Sequence, residues 1–304
     1  MSSTTPSDQR TGLDAIARPD GTFAIVAMDQ RNTLRRMLGA EGRATDPDEL
    51  ASFKRDVAGP LMGTASGILL DPDYGMPGIE GLDRGGCGIL VAAEPGDRET
   101  YAGEPRTTRV ETQDAAWVRD QGGDALKFLV QLRADRVAEP GEPDLSRETR
   151  DVVAAVVADC RAVGVPSVVE NLIYPLPGED DATPEQRSDR IIAAAVALDE
   201  LGCDLLKLEY PGSPEACRRL ADAITTPWAV LSAGVAFERF SEVLRISCDE
   251  GGASGFIAGR AIWKEAVGME PEERHSFLGS TGRERLEGCI AAIDGRARSW
   301  RDAR

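Results

Sequence analysis

The chain has 304 residues, 52 acidic against 35 basic side chains, and a formal net charge of −17. Acidity on that scale disfavours nucleic acid and anionic membrane as partners, and no apolar run approaches the ~20 residues of a membrane span. A single histidine, His275, is too few for an ordinary zinc centre and a poor basis for a Ser-His or Cys-His nucleophile.

Eight short apolar runs follow one another along the chain: Phe23–Met28, Gly67–Leu70, Gly88–Ala93, Ala125–Leu132, Ser167–Glu170, Leu205–Tyr210, Trp228–Ser232 and Gly255–Ala258. Amphipathic stretches lie between them: Glu49–Leu61, Gln113–Asp120, Ser146–Val163, Ser188–Leu201, Pro214–Ala223 and Ala236–Asp249. Strands alternating with helices imply parallel pairing, and near-continuous apolar strands imply burial on both faces. Eight such units predict a single (β/α)8 barrel over residues 1–304, with an extra C-terminal helix in Thr281–Arg304 and a disordered start over 1–12. A doubly wound sheet is the alternative, but no G-x-G-x-x-G follows the first strand.

Residues 1–18 have no apolar stretch of signal-peptide type, and the six cysteines are scattered without a C-x-x-C pair. Both point to a cytoplasmic protein with reduced thiols. No cofactor or metal is expected, although the histidine count does not exclude an Asp/Glu-bound magnesium ion. A homo-oligomer is compatible with the sequence, which does not fix the assembly state.

Lysine occurs only at positions 54, 127, 207 and 264. Lys54 and Lys264 fall in helical stretches and read as surface residues. Lys127 and Lys207 fall inside strands. Because strand side chains alternate, Lys207 and Glu209 share one face of Leu205–Tyr210, opposite Leu206, Leu208 and Tyr210. The all-apolar face should pack on helices, so Lys207 points into the barrel. Lys127 repeats the pattern, sharing its face with Leu129 and Gln131. Glu170 and Asp29-Gln30-Arg31 close two further strands, at the end where barrels keep their active sites. Burial beside a second ammonium favours a neutral, nucleophilic amine. The combination predicts a Schiff base on Lys207, with Glu170 as proton carrier and Lys127 and Asp29 beside them. The competing reading is an ion-pair cluster without a catalytic role.

Two motifs suggest an anion site: Ser232-Ala-Gly234 after the seventh strand, and Gly259-Arg260 after the eighth. Glycine lets backbone N–H groups approach an anion, and Arg adds a planar fork.

Six segments carry a family resemblance: Asp29-Gln-Arg31, Leu69–Gly75, Ala125–Leu129, Asp204–Glu209, Pro227–Val235 and Ala253–Trp263. They resemble the class I aldolase family of tagatose-1,6-bisphosphate aldolase and sulfofructosephosphate aldolase. The resemblance implies cleavage of a six-carbon ketose 1-phosphate to dihydroxyacetone phosphate and a three-carbon aldehyde. It implies Lys207 as the Schiff-base lysine, Glu170 as acid/base, and phosphate at Ser232, Gly234, Gly259 and Arg260. Asp29, Gln30, Arg31 and Lys127 match other pocket positions. Asn171 departs from the family, which usually has an apolar residue or proline there.

The bisphosphate ketoses rank narrowly before 6-deoxy-6-sulfofructose 1-phosphate. Only Arg31 and Arg133 stand out as cations for the far anion. A barrel isomerase or epimerase, or a non-catalytic sugar-phosphate sensor, are the readings from other classes.

Overall fold

The computed structural model describes residues 11–303. The strands are β1 Phe23–Met28, β2 Gly67–Leu70, β3 Gly88–Ala92, β4 Glu99–Tyr101, β5 Glu104–Arg106, β6 Ala125–Val130, β7 Ser167–Asn171, β8 Leu205–Leu208, β9 Trp228–Leu231 and β10 Gly255–Ala258. Strands β4 and β5 form an antiparallel hairpin in the connection after β3. The other eight are parallel and close into a barrel in chain order, β1 pairing with β10. The fold is therefore the (β/α)8 barrel that the sequence predicts. The disordered start falls outside the described residues except at 11 and 12, and Gly12 already opens a 3-10 turn.

Strand alternation divides the core into two layers. Val26, Leu70, Val91, Phe128, Val169, Leu206, Val230 and Phe256 face outward and pack beneath the helices. Ile25, Leu69, Leu90, Ala125, Val168, Leu205, Ala229 and Ile257 face inward and fill the barrel. Each inward row can be continued by two residues towards the C-terminal end of its strand. Ala27 leads to Asp29, Ala92 to Glu94, Ala125 to Lys127, Val168 to Glu170 and Leu205 to Lys207. The pleat that buries the apolar rows thus aims five charged side chains at one level of the barrel.

Helix starts follow the local sequence. The Asp46 side chain caps Pro47–Met62, Ser213 caps Pro214–Ala223, and Thr183 with Gln186 forms a capping box for Pro184–Asp199. Each has proline in its first turn, where a missing N–H is harmless. A helix over Asn32–Ala40 was not anticipated; it starts at Arg31 without a side-chain cap. The extra C-terminal helix is shorter than expected, Arg283–Ile293. The chain then runs back under the barrel, where the Trp300 N–H donates to Gly21 O at 2.9 Å and its ring packs on the inner cluster. Among the described residues no helix is long and apolar enough to cross a membrane.

Lys54 corrects the sequence reading. It lies on Pro47–Met62 but is fully buried, paired with the buried Asp71. Beside it, fully buried Arg274 bonds to Glu49 at 2.9 Å and Asp56 at 2.7 Å, and its guanidinium lies 5.0 Å from the Phe53 ring centroid. These contacts fasten helix Pro271–Phe277 to Pro47–Met62. Arg274→Met removes the charge and strands two carboxylates that are still partly wet. The variant should lose about 2–3 kcal/mol, less than the 3–5 of a fully buried pair, and melt several degrees lower. An unchanged melting temperature in calorimetry would show that water already screens this latch.

Candidate active site

The five inward charges meet at the C-terminal mouth of the barrel. Lys127 Nζ donates to Asp29 Oδ2 at 2.7 Å and Glu94 Oε1 at 2.7 Å, and lies 2.9 Å from Glu170 Oε2. The same Glu170 oxygen is 2.9 Å from Lys207 Nζ. One carboxylate therefore bridges two ammonium groups. In the strand register Glu170 stands opposite Lys207 on one side and Leu129 on the other. Lys127, Glu170 and Lys207, which lie within strands, and Glu94, two residues past β3, are all buried.

Burial alone raises a carboxyl pKa, and it is the largest influence on Glu170. Lys127 and Lys207 together outweigh it and hold Glu170 below the usual glutamate range. Asp29 behaves likewise: burial raises its pKa, and the nearby lysines, Lys127 foremost, bring it well below the aspartate value. For Lys127 burial favours the neutral amine, but Asp29, Glu170 and Glu94 overcome it and hold its pKa well above the usual lysine range, so the ammonium stays charged. The arrangement offers an ionised carboxylate, a fixed cation and a second lysine within proton-transfer distance of that carboxylate.

A cavity of ≈ 360 Å³ opens above this cluster, lined by Asp29, Gln30, Arg31, Lys127, Glu170, Lys207 and Arg260 among others. That volume suits a small metabolite. Its lining holds six cationic side chains against four carboxylates, a positive chamber in an acidic chain. The Oδ1 of Asp29 and the Oε1 of Gln30 are buried without a hydrogen-bond partner among the described residues. Both are acceptors on residues that line the cavity.

The anion motifs occupy the expected strand ends. Ala233 and Gly234, after β9, both adopt left-handed backbone, with φ of 48° and 78°. A non-glycine residue there is strained, as is common at functional loops. A Cβ on Gly234 would lie 3.2 Å from Cζ of Arg260, so glycine lets the guanidinium rest on the loop. A Cβ on Gly259 would lie 2.4 Å from Ala27 O, so this position keeps β10 close to β1. Arg260 also borders a second recess of ≈ 570 Å³, which Gly234 lines. Ser232 is buried, and neither it nor Gly259 lines either space.

Several side chains differ from expectation. Arg133 is buried and engaged by Asp135, Glu179 and the Tyr174 carbonyl, so it does not serve the cavity. Glu209 does not share the chamber with Lys207. Its carboxylate accepts from the Ile173 N–H at 2.9 Å and pairs with Arg187, joining the loops after β7 and β8. Burial raises its pKa. Asn171 faces away from the chamber and exchanges hydrogen bonds with the Leu132 backbone, which explains a polar residue at this strand end.

Sequence reasoning missed Glu94, Arg36 and Arg98, all of which line the cavity. Glu94 carried a readable signal, an acid closing an apolar strand. Arg98 had none, because the hairpin β4–β5 that follows it is too short to betray itself.

A family model described as DeoC/LacD family aldolase matches residues 23–265. The tagatose 1,6-diphosphate aldolase 2 of Streptococcus agalactiae is 27% identical, with 97% of this chain and 98% of that protein covered. The tagatose 1,6-diphosphate aldolase of Staphylococcus haemolyticus is 28% identical over 98% of this chain and 99% of its own length. Among solved structures, fructose-bisphosphate aldolase from Plasmodium falciparum superposes with a TM-score of 0.70 at 16% identity, covering 94% of both chains. An archaeal fructose-1,6-bisphosphate aldolase does so with 0.59 at 18% identity, covering 92% of this chain and 96% of that one. These two likenesses bear on the fold. Because the family match begins with the first residue of β1 and runs past the end of β10, it spans the whole barrel, and the chain belongs to the DeoC/LacD family of class I aldolases.

Proposed function

We propose that this aldolase cleaves a six-carbon ketose 1,6-bisphosphate of the tagatose or fructose type through a Schiff base on Lys207. The observation that carries the assignment is the Glu170 oxygen held 2.9 Å from both Lys207 and Lys127. Glu170 takes a proton from the Lys207 ammonium, freeing the amine. The nitrogen lone pair attacks the C2 carbonyl, and a proton from Glu170 lets the carbinolamine hydroxyl leave as water. The C3–C4 bonding pair then flows into the iminium while the C4 hydroxyl proton passes to the Glu170 carboxylate, and the aldehyde departs. Protonation of the enamine at C3 and hydrolysis release dihydroxyacetone phosphate and restore Lys207. Lys127, fixed by three carboxylates, remains the neighbouring cation throughout, and Asp29 Oδ1 and Gln30 Oε1 accept substrate hydroxyls.

Arg260, which borders both the chamber and the recess that Gly234 lines, is proposed to hold the C1 phosphate, with Ser232 and Gly259 shaping the turns behind it. At the other end Arg31 is already partly neutralised, by Asp73 at 2.9 Å and the Glu94 carbonyl at 2.7 Å. Among the described residues Arg36 bonds only within its own helix and Arg98 only to the neutral Gln131, so both can answer an anion. A phosphate approaches two charges near neutral pH and a sulfonate carries one. Two uncommitted arginines there favour the bisphosphate. The whole chain is taken as one barrel domain working in the cytoplasm; its six buried cysteines suit a reducing compartment.

Dihydroxyacetone phosphate with borohydride should inactivate the enzyme and add mass to the peptide carrying Lys207, in EDTA as well as without it. Labelling at Lys127 alone, or turnover that EDTA abolishes and a divalent ion restores, would falsify this mechanism. Glu170→Gln should lower kcat by roughly 10²–10⁴, the usual range for a general acid-base, while some adduct still forms. A variant with undiminished kcat moves proton transfer to another group. Comparing tagatose and fructose bisphosphates with the sulfonate sugar tests the far end. Arg98→Ala should cost the bisphosphates about tenfold in kcat/KM, near 1.4 kcal/mol, and the sulfonate less. A preference of the wild type for the sulfonate of more than about 100-fold, or roughly 2.7 kcal/mol, reverses the substrate order.

A further inference from the structure

Lys54 has no place in the chemistry above, yet it is bound more completely than any surface lysine. An ammonium has three protons. Lys54 gives them to Met28 O at 2.7 Å, Gln30 O at 2.8 Å and the Asp71 carboxylate. Those two carbonyls flank Asp29. Strand β1 ends at Met28, so Asp29 and Gln30 have no ladder to fix their path. Asp71 follows the last residue of β2, and its second oxygen accepts from the Tyr74 N–H at 2.9 Å. One buried cation therefore ties the ends of two strands to a covering helix.

Stability does not explain this pair. Taking both ions out of water costs several kcal/mol each before their attraction repays it, and an apolar pair of similar volume is often as stable. What an apolar pair cannot do is hold two carbonyls at fixed positions.

We propose that Lys54 is a positioning residue: by coordinating the carbonyls on either side of Asp29, it sets that carboxylate against Lys127 and orients Gln30 into the cavity. The inference rests on the assignment of Asp29 and Lys207 to the reaction. Displacing a reacting group by about 1 Å can lower a rate about 10²-fold.

The test is a cycle of Lys54→Met/Asp71→Leu, Asp29→Asn and the triple variant, read by melting temperature, kcat and borohydride labelling of Lys207. The apolar pair should melt several degrees below the wild type, because the Met28 and Gln30 carbonyls and the Tyr74 N–H lose their partners, yet still fold and label at Lys207, and lose about 10²-fold in kcat through the displaced carboxylate. In the Asp29→Asn background it should cost no more than about threefold further, because two changes acting through one group do not add. Wild-type kcat in the apolar pair, or an undiminished loss in the Asp29→Asn background, overturns the proposal. Lys54→Arg carries the same test if the apolar pair does not fold. It keeps the charge beside Asp71, but a flat fork replaces the compact ammonium. It should show the same loss and the same non-additivity, and wild-type kcat in it also overturns the proposal. Wild-type protein that is not labelled at Lys207 defeats the site assignment itself, whatever Lys54 does.

Discussion

A lysine ammonium in the middle of a β-barrel demands carboxylates, and much of this molecule follows from meeting that demand. Lys127 is met by Asp29, Glu94 and Glu170, from the ends of β1, β3 and β7. Those three acids reach it only because their strands share a register that puts the inward rows at one height. A slip of one residue in any of these strands would turn its charge into the helix layer. The charged level is thus also a constraint on pairing, and the apolar rows beneath it set the height at which the charges stand.

The bridging role of Glu170 gives the chamber its chemistry. Three carboxylates around two lysines leave a surplus of negative charge at the floor, while Arg31, Arg36, Arg98 and Arg260 make the walls positive. The floor can hold protons and the walls can hold anions, so the two functions are separated by height. Elsewhere most of the arginines have carboxylate or carbonyl partners, as Arg133, Arg136, Arg190 and Arg274 do. The acidic surface is therefore compatible with an anionic substrate, because Arg36, Arg98 and Arg260, none with a carboxylate partner among the described residues, stand at the mouth.

The barrel and its charged rows were legible because both depend on a period of two. Lys127, Lys207 and Glu170 interrupt apolar strands at the same phase, and no tertiary knowledge is needed to see it. Lys54 was not legible. It sits between Phe53 and Arg55 in an amphipathic helix, and its burial is decided by Asp71 and by two carbonyls beyond the end of β1. Arg133 was misjudged and Arg98 missed for a related reason. Whether an arginine faces a cavity or a carboxylate depends on loops such as the hairpin β4–β5, where Glu104 joins Arg136 and the Tyr174 hydroxyl. Those contacts span 32 to 70 residues and leave no periodic trace.

The tail after Ile293 closes the opposite end of the barrel. Trp300 bonds beneath β1, the Arg298 N–H donates to Ala253 O at the foot of β10, and Arg301 pairs with Asp14 near the start of the described chain. Both ends of that chain thus lie on the face remote from the chamber. A fluorophore or a surface tether joined to a side chain introduced at the exposed Thr11 or Asp302 points away from the mouth, so the enzyme can be immobilised on a support with its entrance free for substrate.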